Sequence, residues 1–371
     1  MFSAFSFFEQ LPDENIECCD ENKKLFFWLM HERMAIWKRR FIDKKERPWT
    51  ENEILRDYKF TNVYRELDRN SQWQIKNILL DDELSLVNLI WKMMVFRFFN
   101  NPETFTFDAT NGVALQGYLF EPPVKSGLKQ AGNLDELISA TKWRNGIPDY
   151  EEYDKDEFCR FIAGIRSVGK NPYTTAYLIN SMAAPGQSRD YCYTQIVIPT
   201  LHEKIYEIMS VVVNAEKPQD IISYLTKLPA VANFIAHEFY QDFTYIPRYT
   251  DKQFMTFTQN DYTNVGPGAS VGIRLIYPSL KTIKEQEQAI YRLRDEAEKE
   301  LSEVAKMKGE PMYYLEWDKQ KREYYFVDHC NITLHQIEMW LCEFQKYWKM
   351  TIKTGKQRSK FEPRTKEVIV K

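Results

Sequence analysis

Hydrophobic residues recur at helical spacing along most of this chain. In residues 280–308, Ala289, Leu293, Ala297, Leu301 and Ala305 fall at every fourth position among charged side chains, which is typical of one buried helix face. Similar spacing predicts two helices within 51–99 and further helices at 134–142, 151–166, 200–215, 218–227, 230–245 and 332–350, with a turn into another helix over 169–180. Residues 312–328 differ, because Tyr and Phe fill two arms around Asp318-Lys319-Gln320-Lys321, which predicts a β-hairpin. The pattern predicts a mainly α fold with a small β-hairpin element.

Charge divides the chain into three predicted segments. Residues 1–50 are acidic and then basic, 51–280 form a helical body, and 281–371 contain the long helix, the hairpin and a basic C-terminal helix. Residues 33–47 interleave seven basic side chains with Trp37 and Phe41, as a nucleic-acid groove requires for phosphates and bases. An amphipathic surface helix explains the same residues equally well.

Several protein classes do not fit this composition. The apolar run 84–99 is interrupted by Asn88, Lys92 and Arg97, so it predicts a buried helix and no membrane span. The first basic residue is Lys23, so we expect no secretory signal. The six cysteines form no CxxC pair and the five histidines form no HExxH pattern, so we expect neither disulfides nor a metal site, and a cytoplasmic location.

The stretch FTNVYRELDRNSQW (60–73) concentrates polar groups. If Asn62 caps a helix, then Asn62, Arg65 and Arg69 share one face of that helix. The guanidinium groups of the two arginines suit phosphate oxygens. A solvated helix face, with local ion pairs that include Asp68, is the alternative.

Residues 228–245 place a carboxylate in an apolar stripe. As a helix, this stretch aligns Val231, Ile235, Phe239 and Asp242 on one face. A buried Asp242 must be hydrogen-bonded, paired with a cation, or kept for chemistry at a raised pKa. A structural aspartate and a general base both remain open.

Residues 264–276 begin with the turn Gly266-Pro267-Gly268. Its backbone N–H groups and the following helix N-terminus could bind a phosphate, although the stretch matches neither GxxxxGK[ST] nor GxGxxG. The alternative is a helix-start turn in which Gly272 permits tight helix packing.

Two family resemblances follow from these motifs. Residues 228–232 and 265–269 each resemble part of the hairpin of helix-hairpin-helix DNA glycosylases. A closer resemblance, over about 300 residues, is to the α-glutamyl/putrescinyl thymine pyrophosphorylases, also called amino acid:DNA transferases. That family is related to the helical domain of 5-hydroxymethyluracil DNA kinases and belongs largely to phage systems that hypermodify thymine. It implies a DNA-glycosylase-like helical fold.

The resemblance implies a set of site residues. Asp242, Arg65, Arg69 and Glu343 would be catalytic; substrate and DNA would contact Asn62, Tyr64, Asp68, Arg97, Lys170, Gln241, Gly266, Gly268, Lys346, Tyr347 and Arg358. Asp242 would act as general base, the arginines and Lys170 would bind pyrophosphate, and Tyr64 with Trp73 would assist base flipping. For Glu343 and Lys346 a local ion pair is the alternative, and Cys342 fits packing better than nucleophilic chemistry.

The implied reaction replaces the pyrophosphate of 5-(pyrophosphoryloxymethyl)uracil in DNA by the amine of an amino acid or polyamine. Its partners would be that DNA, the free amine donor and a 5-hydroxymethyluracil DNA kinase, with no membrane. No cofactor is expected, and a divalent cation on the pyrophosphate is the one addition considered. Two rival hypotheses are a DNA glycosylase acting on a modified base and a non-catalytic DNA-binding partner of the kinase.

Overall fold

The computed structural model describes residues 17–105, 143, 146–167, 169–174, 184–354 and 360–361 of the 371-residue chain. The helix predicted at 134–142, the helical part of 169–180 and Arg358 lie outside these residues. The predicted division into three segments is not tested and stays a prediction.

Helices make up most of the described chain. They are α1 Asp20–Phe41, α2 Glu53–Asp57, α3 Arg69–Gln74, α4 Leu86–Phe99, α5 Pro102–Phe105, α6 Lys155–Ser167, α7 Arg189–Tyr191, α8 Ile198–Asn214, α9 Pro218–Leu225, α10 Asn233–Tyr249, α11 Pro267–Ile276, α12 Ile283–Lys308 and α13 Leu334–Thr351. Short 3₁₀ turns span Arg65–Leu67 and Tyr150–Glu152, and π-helical turns span Ile75–Leu79 and Cys192–Val197. The predicted mainly α fold is confirmed.

The predicted β-hairpin is also confirmed. Strands β1 (Tyr314–Asp318) and β2 (Glu323–Val327) pair antiparallel, with Tyr314 opposite Val327 and Asp318 opposite Glu323. The Asp318 carboxylate accepts hydrogen bonds from the backbone N–H groups of Gln320 and Lys321, both at 3.0 Å, and so stabilises the turn.

Side-chain caps explain where several helices begin. Thr282 and Glu285 form a capping box at α12, and Thr333 and Gln336 form another at α13. Helix α12 ends at Gly309, whose φ of 64° is in the left-handed region that glycine adopts readily. These local signals account for the good agreement between predicted and observed bounds in this part of the chain.

The described residues form two compact units. One contains residues 17–68 and 258–361, and the other contains residues 69–257. In the first unit α1, α11, α12 and α13 surround a core that includes Phe26, Phe27, Leu293 and Phe344. In the second, α4 packs against α8 and α10, and α9 packs against both α8 and α10.

One predicted helix is wrong. Asn62 does not cap a helix; a 3₁₀ turn covers Arg65–Leu67, and α3 begins at Arg69. The Asn62 side chain donates to Leu67 O and to Asp68 Oδ1, each at 2.9 Å, and thereby closes a loop before any α-helical turn can form. The polar stripe expected along a continuous helix is therefore absent.

Helices α11 and α13 pack closely because α11 contains glycines. A Cβ atom on Gly272 would lie 2.2 Å from Leu341 O, and one on Gly268 would lie 2.9 Å from Cys342 Sγ. The inferred close approach is thus present, and its partner in the structure is α13. Gly268 and Gly272 therefore permit tight helix packing, which was the alternative interpretation of this motif.

Among the described helices, none is both long and apolar enough to cross a bilayer.

We expect Gly272→Ala to lower the free energy of unfolding by about 1–3 kcal/mol, because the new methyl group would overlap a backbone carbonyl of α13. Urea denaturation measures this difference. Gly266→Ala is the matched control, since its Cβ would lie 3.9 Å from the nearest atom, Glu338 Oε1. Equal losses in the two variants would contradict the packing role of Gly272.

Candidate functional site

A buried charged cluster lies between α4 and α10 in the second unit. Arg97 Nε donates to Asp242 Oδ2 at 2.7 Å and Arg97 Nη2 donates to Oδ1 at 2.5 Å, which makes a bidentate pair. Arg97 Nη1 also lies 3.2 Å from Glu238 Oε2. These side chains are at most 5% exposed, so Arg97 serves the interior and not the surface.

Helix geometry explains this arrangement. Glu238 and Asp242 are four residues apart on α10 and therefore present their carboxylates on the same face. Arg97 lies in the last turn of α4, where the helix dipole favours a cation. Gln74 extends the cluster, since its Oε1 accepts from Arg97 Nη2 at 3.4 Å. On α10, Gln241 Nε2 also lies 3.1 Å from His237 Nε2.

Two opposing effects act on Asp242. Burial raises the pKa of its carboxyl, while the Arg97 guanidinium and the Gln74 side chain favour the ionised form. Within this triad two carboxylates share one guanidinium. Glu238 also raises the pKa of Asp242, so this carboxylate is a stronger base than an exposed aspartate.

A second polar group lies in the first unit, in the loop 61–68. Asp68 Oδ1 accepts from the Asn62 backbone N–H and side-chain amide, both at 2.9 Å. Burial raises the pKa of Asp68 to about 6, against the opposing effects of the Asn62 N–H and the positive charge of Arg65. Tyr64 is buried, and its hydroxyl donates to Asn331 Oδ1 at 2.5 Å.

Residues of α13 lie next to this loop. Lys346 Nζ is 2.6 Å from both carboxylate oxygens of Glu343, so the local ion pair weighed as an alternative exists. Glu343 Oε2 also accepts from the Thr61 N–H at 3.4 Å, and Tyr347 OH accepts from Asn52 Nδ2 at 2.8 Å. Cys342 is partly buried and its thiol pKa is raised by that burial, which supports packing rather than nucleophilic chemistry.

The predicted site residues divide between the two units. Within the second unit, Arg69 pairs with Glu103 at 3.0 Å, and Lys170 is an exposed residue that follows α6. Within the first unit, Gly266 is the N-cap of α11 and Gly268 faces Cys342. The roles proposed for these residues remain predictions.

Sequence reasoning missed Glu238 and Gln74 as partners of Arg97. A signal for Glu238 was present, because it precedes Asp242 by four residues on the same predicted helix. Nothing in the sequence pointed to Gln74, which approaches Arg97 from another segment.

Residues 164–171, GIRSVGKN, match the phosphate-loop pattern GxxxxGK[ST] except at the last position. In a phosphate loop the first glycine follows a strand, whereas Gly164 lies inside α6. Gly169 has a φ of 73° just after that helix. The sequence match therefore lacks the backbone arrangement that cradles phosphates.

A family model described as the helical domain of 5-hmdU DNA kinase matches residues 20–116 and 139–357. The chain belongs to this family. A 5-hmdU DNA kinase of Bacillus phage SP10 is 25% identical over 353 residues, which cover 91% of this chain and 47% of that protein. The chain thus spans about half the length of this curated relative. No solved structure matches this chain.

Membership of the kinase helical-domain family agrees with the wider relationship expected from the sequence. The expected relationship named this helical domain together with the amino acid:DNA transferases, and the match supports the former. Transferase membership remains an expectation, as does the likeness to DNA glycosylases.

We expect Arg97→Met to lower the free energy of unfolding by about 3–5 kcal/mol, because it leaves Glu238 and Asp242 buried without their guanidinium partner. Urea denaturation of purified protein gives the value. Arg294→Met is the control, since Arg294 pairs with Asp295 on the partly exposed surface and should cost less than about 1 kcal/mol. A small loss for Arg97→Met would show that the cluster is not needed for stability.

The raised pKa of Asp68 predicts a pH effect with a definite sign. Between its ordinary value of 3.8 and about 6, the folded protein binds more protons at this group than the unfolded chain does. The contribution of Asp68 to stability should therefore fall as pH rises through that window, and Asp68→Asn should remove this dependence. Unfolding free energies of both proteins at several pH values measure it; parallel pH profiles would contradict the assignment.

Proposed function

We propose that this chain modifies thymine-derived bases in DNA, and that it replaces the pyrophosphate of 5-(pyrophosphoryloxymethyl)uracil by the amine of an amino acid or polyamine. The observation that carries the proposal is its membership of the 5-hmdU DNA kinase helical-domain family over most of its length. The curated relative's name specifies DNA containing 5-hmdU, which has the same exocyclic methylene as the proposed substrate.

The proposed reaction is a displacement at that methylene carbon. The amine nitrogen forms a bond to carbon, the carbon–oxygen bond breaks, and pyrophosphate leaves with the electron pair. The amine proton passes to a base, for which Asp242 is the candidate. Burial raises the pKa of its carboxyl and brings it nearer to that of an amine, as general base catalysis requires.

Arg97 would position the base in this scheme. Its bidentate contact fixes the orientation of the Asp242 carboxylate, and Glu238 partly offsets the guanidinium charge that would otherwise weaken the base. Arg65, Arg69 and Lys170 would supply positive charge to the pyrophosphate oxygens. Glu343 would have a catalytic role in the first unit, where Lys346 now pairs with it.

One observation favours a second candidate, a non-catalytic DNA-binding partner of a 5-hmdU kinase. Both oxygens of Asp242 bind Arg97, and the Asp242 side chain is fully enclosed. Such a pair also occurs where a charge cluster only specifies the fold. The chain's match to about half of a longer kinase is consistent with this function as well.

Mass spectrometry of digested DNA distinguishes these functions. DNA containing 5-(pyrophosphoryloxymethyl)uracil is incubated with the protein, amino acids and polyamines, and its nucleosides are then analysed. A nucleoside carrying an attached amine, with release of pyrophosphate, is the expected result. Unchanged nucleosides in DNA that the protein binds would favour the binding partner, and loss of the base would identify a glycosylase.

In the same assay Asp242→Asn should lower the rate of amine transfer by about 100-fold or more, because the proton acceptor is removed. Duplex binding by the variant should stay close to that of the parent protein. Asp190→Asn is the control: it removes a carboxylate from an exposed pair with Arg166 in the same unit and should leave transfer unchanged. Full transfer by Asp242→Asn would exclude Asp242 as the base.

A further inference from the structure

The first unit contains a pocket that the proposed reaction does not use. It is open to solvent and lies between the C-terminal part of α1, residues 49–60 and Phe361.

Positive charge and aromatic rings dominate the pocket lining. Three arginines, Arg33, Arg40 and Arg56, line it together with five aromatic residues. None of the described residues that line the pocket carries a carboxylate; the nearby Asp57 pairs with Arg56 at 2.8 Å from outside the lining.

The rings and guanidinium groups are stacked together. The Arg40 guanidinium carbon lies 4.5 Å from the ring centre of Phe41, 4.9 Å from that of Trp49 and 5.4 Å from that of Phe361. Arg47 lies 5.6 Å from the Trp49 ring and 5.7 Å from the Phe361 ring. Stacked cations and aromatic faces form a platform on which a planar base can continue the stack.

Backbone contacts hold Phe361 against this platform. Its N–H donates to Asp57 O at 2.8 Å, and the preceding residue, Lys360, forms an antiparallel bridge with Tyr58. Phe361 and Trp49 are 6.5 Å apart in an edge-to-face arrangement. A residue distant in sequence thus completes the pocket wall in a defined position.

The basic segment 33–47 consequently has two roles. Lys38 and Arg39 are taken up in ion pairs, Lys38 with Asp43 and Arg39 with Glu32 and Glu310. Arg33 and Arg40 face the pocket. The pocket thus involves only part of this segment, and the nucleic-acid interpretation of the segment stays a prediction.

We propose that this pocket binds one unpaired nucleotide of a DNA strand, with the base stacked on the Phe361 ring and the phosphate beside Arg33, Arg40 and Arg56. A free nucleoside phosphate carries the same base ring and the same phosphate anion as a nucleotide in DNA. The choice of DNA as the ligand rests on the proposed function, but strand binding can be measured without any transfer reaction.

Fluorescence anisotropy of a labelled short oligothymidylate tests the proposal on the full chain. Phe361→Ala should weaken binding about fivefold or more while leaving the salt dependence unchanged, because it removes a stacking surface. Arg56→Gln should weaken binding and reduce the slope of log affinity against log salt by about 0.7, because one phosphate contact is lost. Arg294→Gln, in the same unit but outside the pocket, is the control and should bind as the parent does.

Location and source are tested separately. In an oligonucleotide carrying 5-iodouracil, ultraviolet cross-linking followed by peptide mapping should identify the peptides containing Trp49 or Phe361. Competition by thymidine 5′-monophosphate as effective as that by the strand would identify a free nucleotide as the ligand and overturn the DNA assignment. Displacement of the strand by pyrophosphate alone would overturn the nucleotide site. The same follows if both pocket variants bind the strand as tightly as the parent protein and their circular dichroism spectra show that they are folded.

These results are distinguishable from failure of the proposed function. The oligothymidylate carries no modified base and no amine is added, so transfer does not enter the measurement. Strand binding without amine transfer would support the pocket proposal and favour the binding-partner candidate. Amine transfer, with strand binding that does not depend on Phe361 or Arg56, would overturn the pocket proposal and leave the proposed function standing.

Discussion

The second unit depends on the burial of one guanidinium group. Arg97 lies in the last turn of a mostly apolar helix, and its charge is tolerated inside the protein because Asp242 and Glu238 on α10 bind it directly. This requirement fixes the separation and the relative rotation of α4 and α10. Burial also raises the pKa of Asp242, while the Arg97 contact that joins the two helices favours the ionised carboxylate.

The first unit depends on a constraint of the opposite kind, which is the absence of side chains. Gly268 and Gly272 allow α11 to approach the backbone of α13, and this approach sets the position of Glu343 and Lys346 on α13. The loop 61–68 then contacts the same helix through Thr61 and Glu343, and through Asn62 and Trp340. Close helix packing therefore determines where the polar side chains of this unit lie.

Family membership and local chemistry point in the same direction. A helical domain related to 5-hmdU kinases accounts for most of the chain, and the first unit adds an arginine and aromatic pocket suited to a nucleotide. Much of the remaining charge is structural, since Arg39, Glu32 and Lys308 form an ion-pair network. The number of charged residues alone therefore says little about function.

The sequence by itself determined the helical class, the hairpin and most helix bounds, because those follow from periodic apolar residues and from caps such as Thr282 and Gly309 that act over a few positions. It also predicted that Asp242 would lie in an apolar stripe. It did not predict that Asn62 would close a loop, because side chains compete with the backbone for the same hydrogen bonds. Only the tertiary structure decided that Arg97 pairs with Asp242, 145 residues away, and that Phe361 completes a pocket with Trp49. Those contacts join segments far apart in sequence, and their geometry is set by how whole helices pack, which no local pattern records.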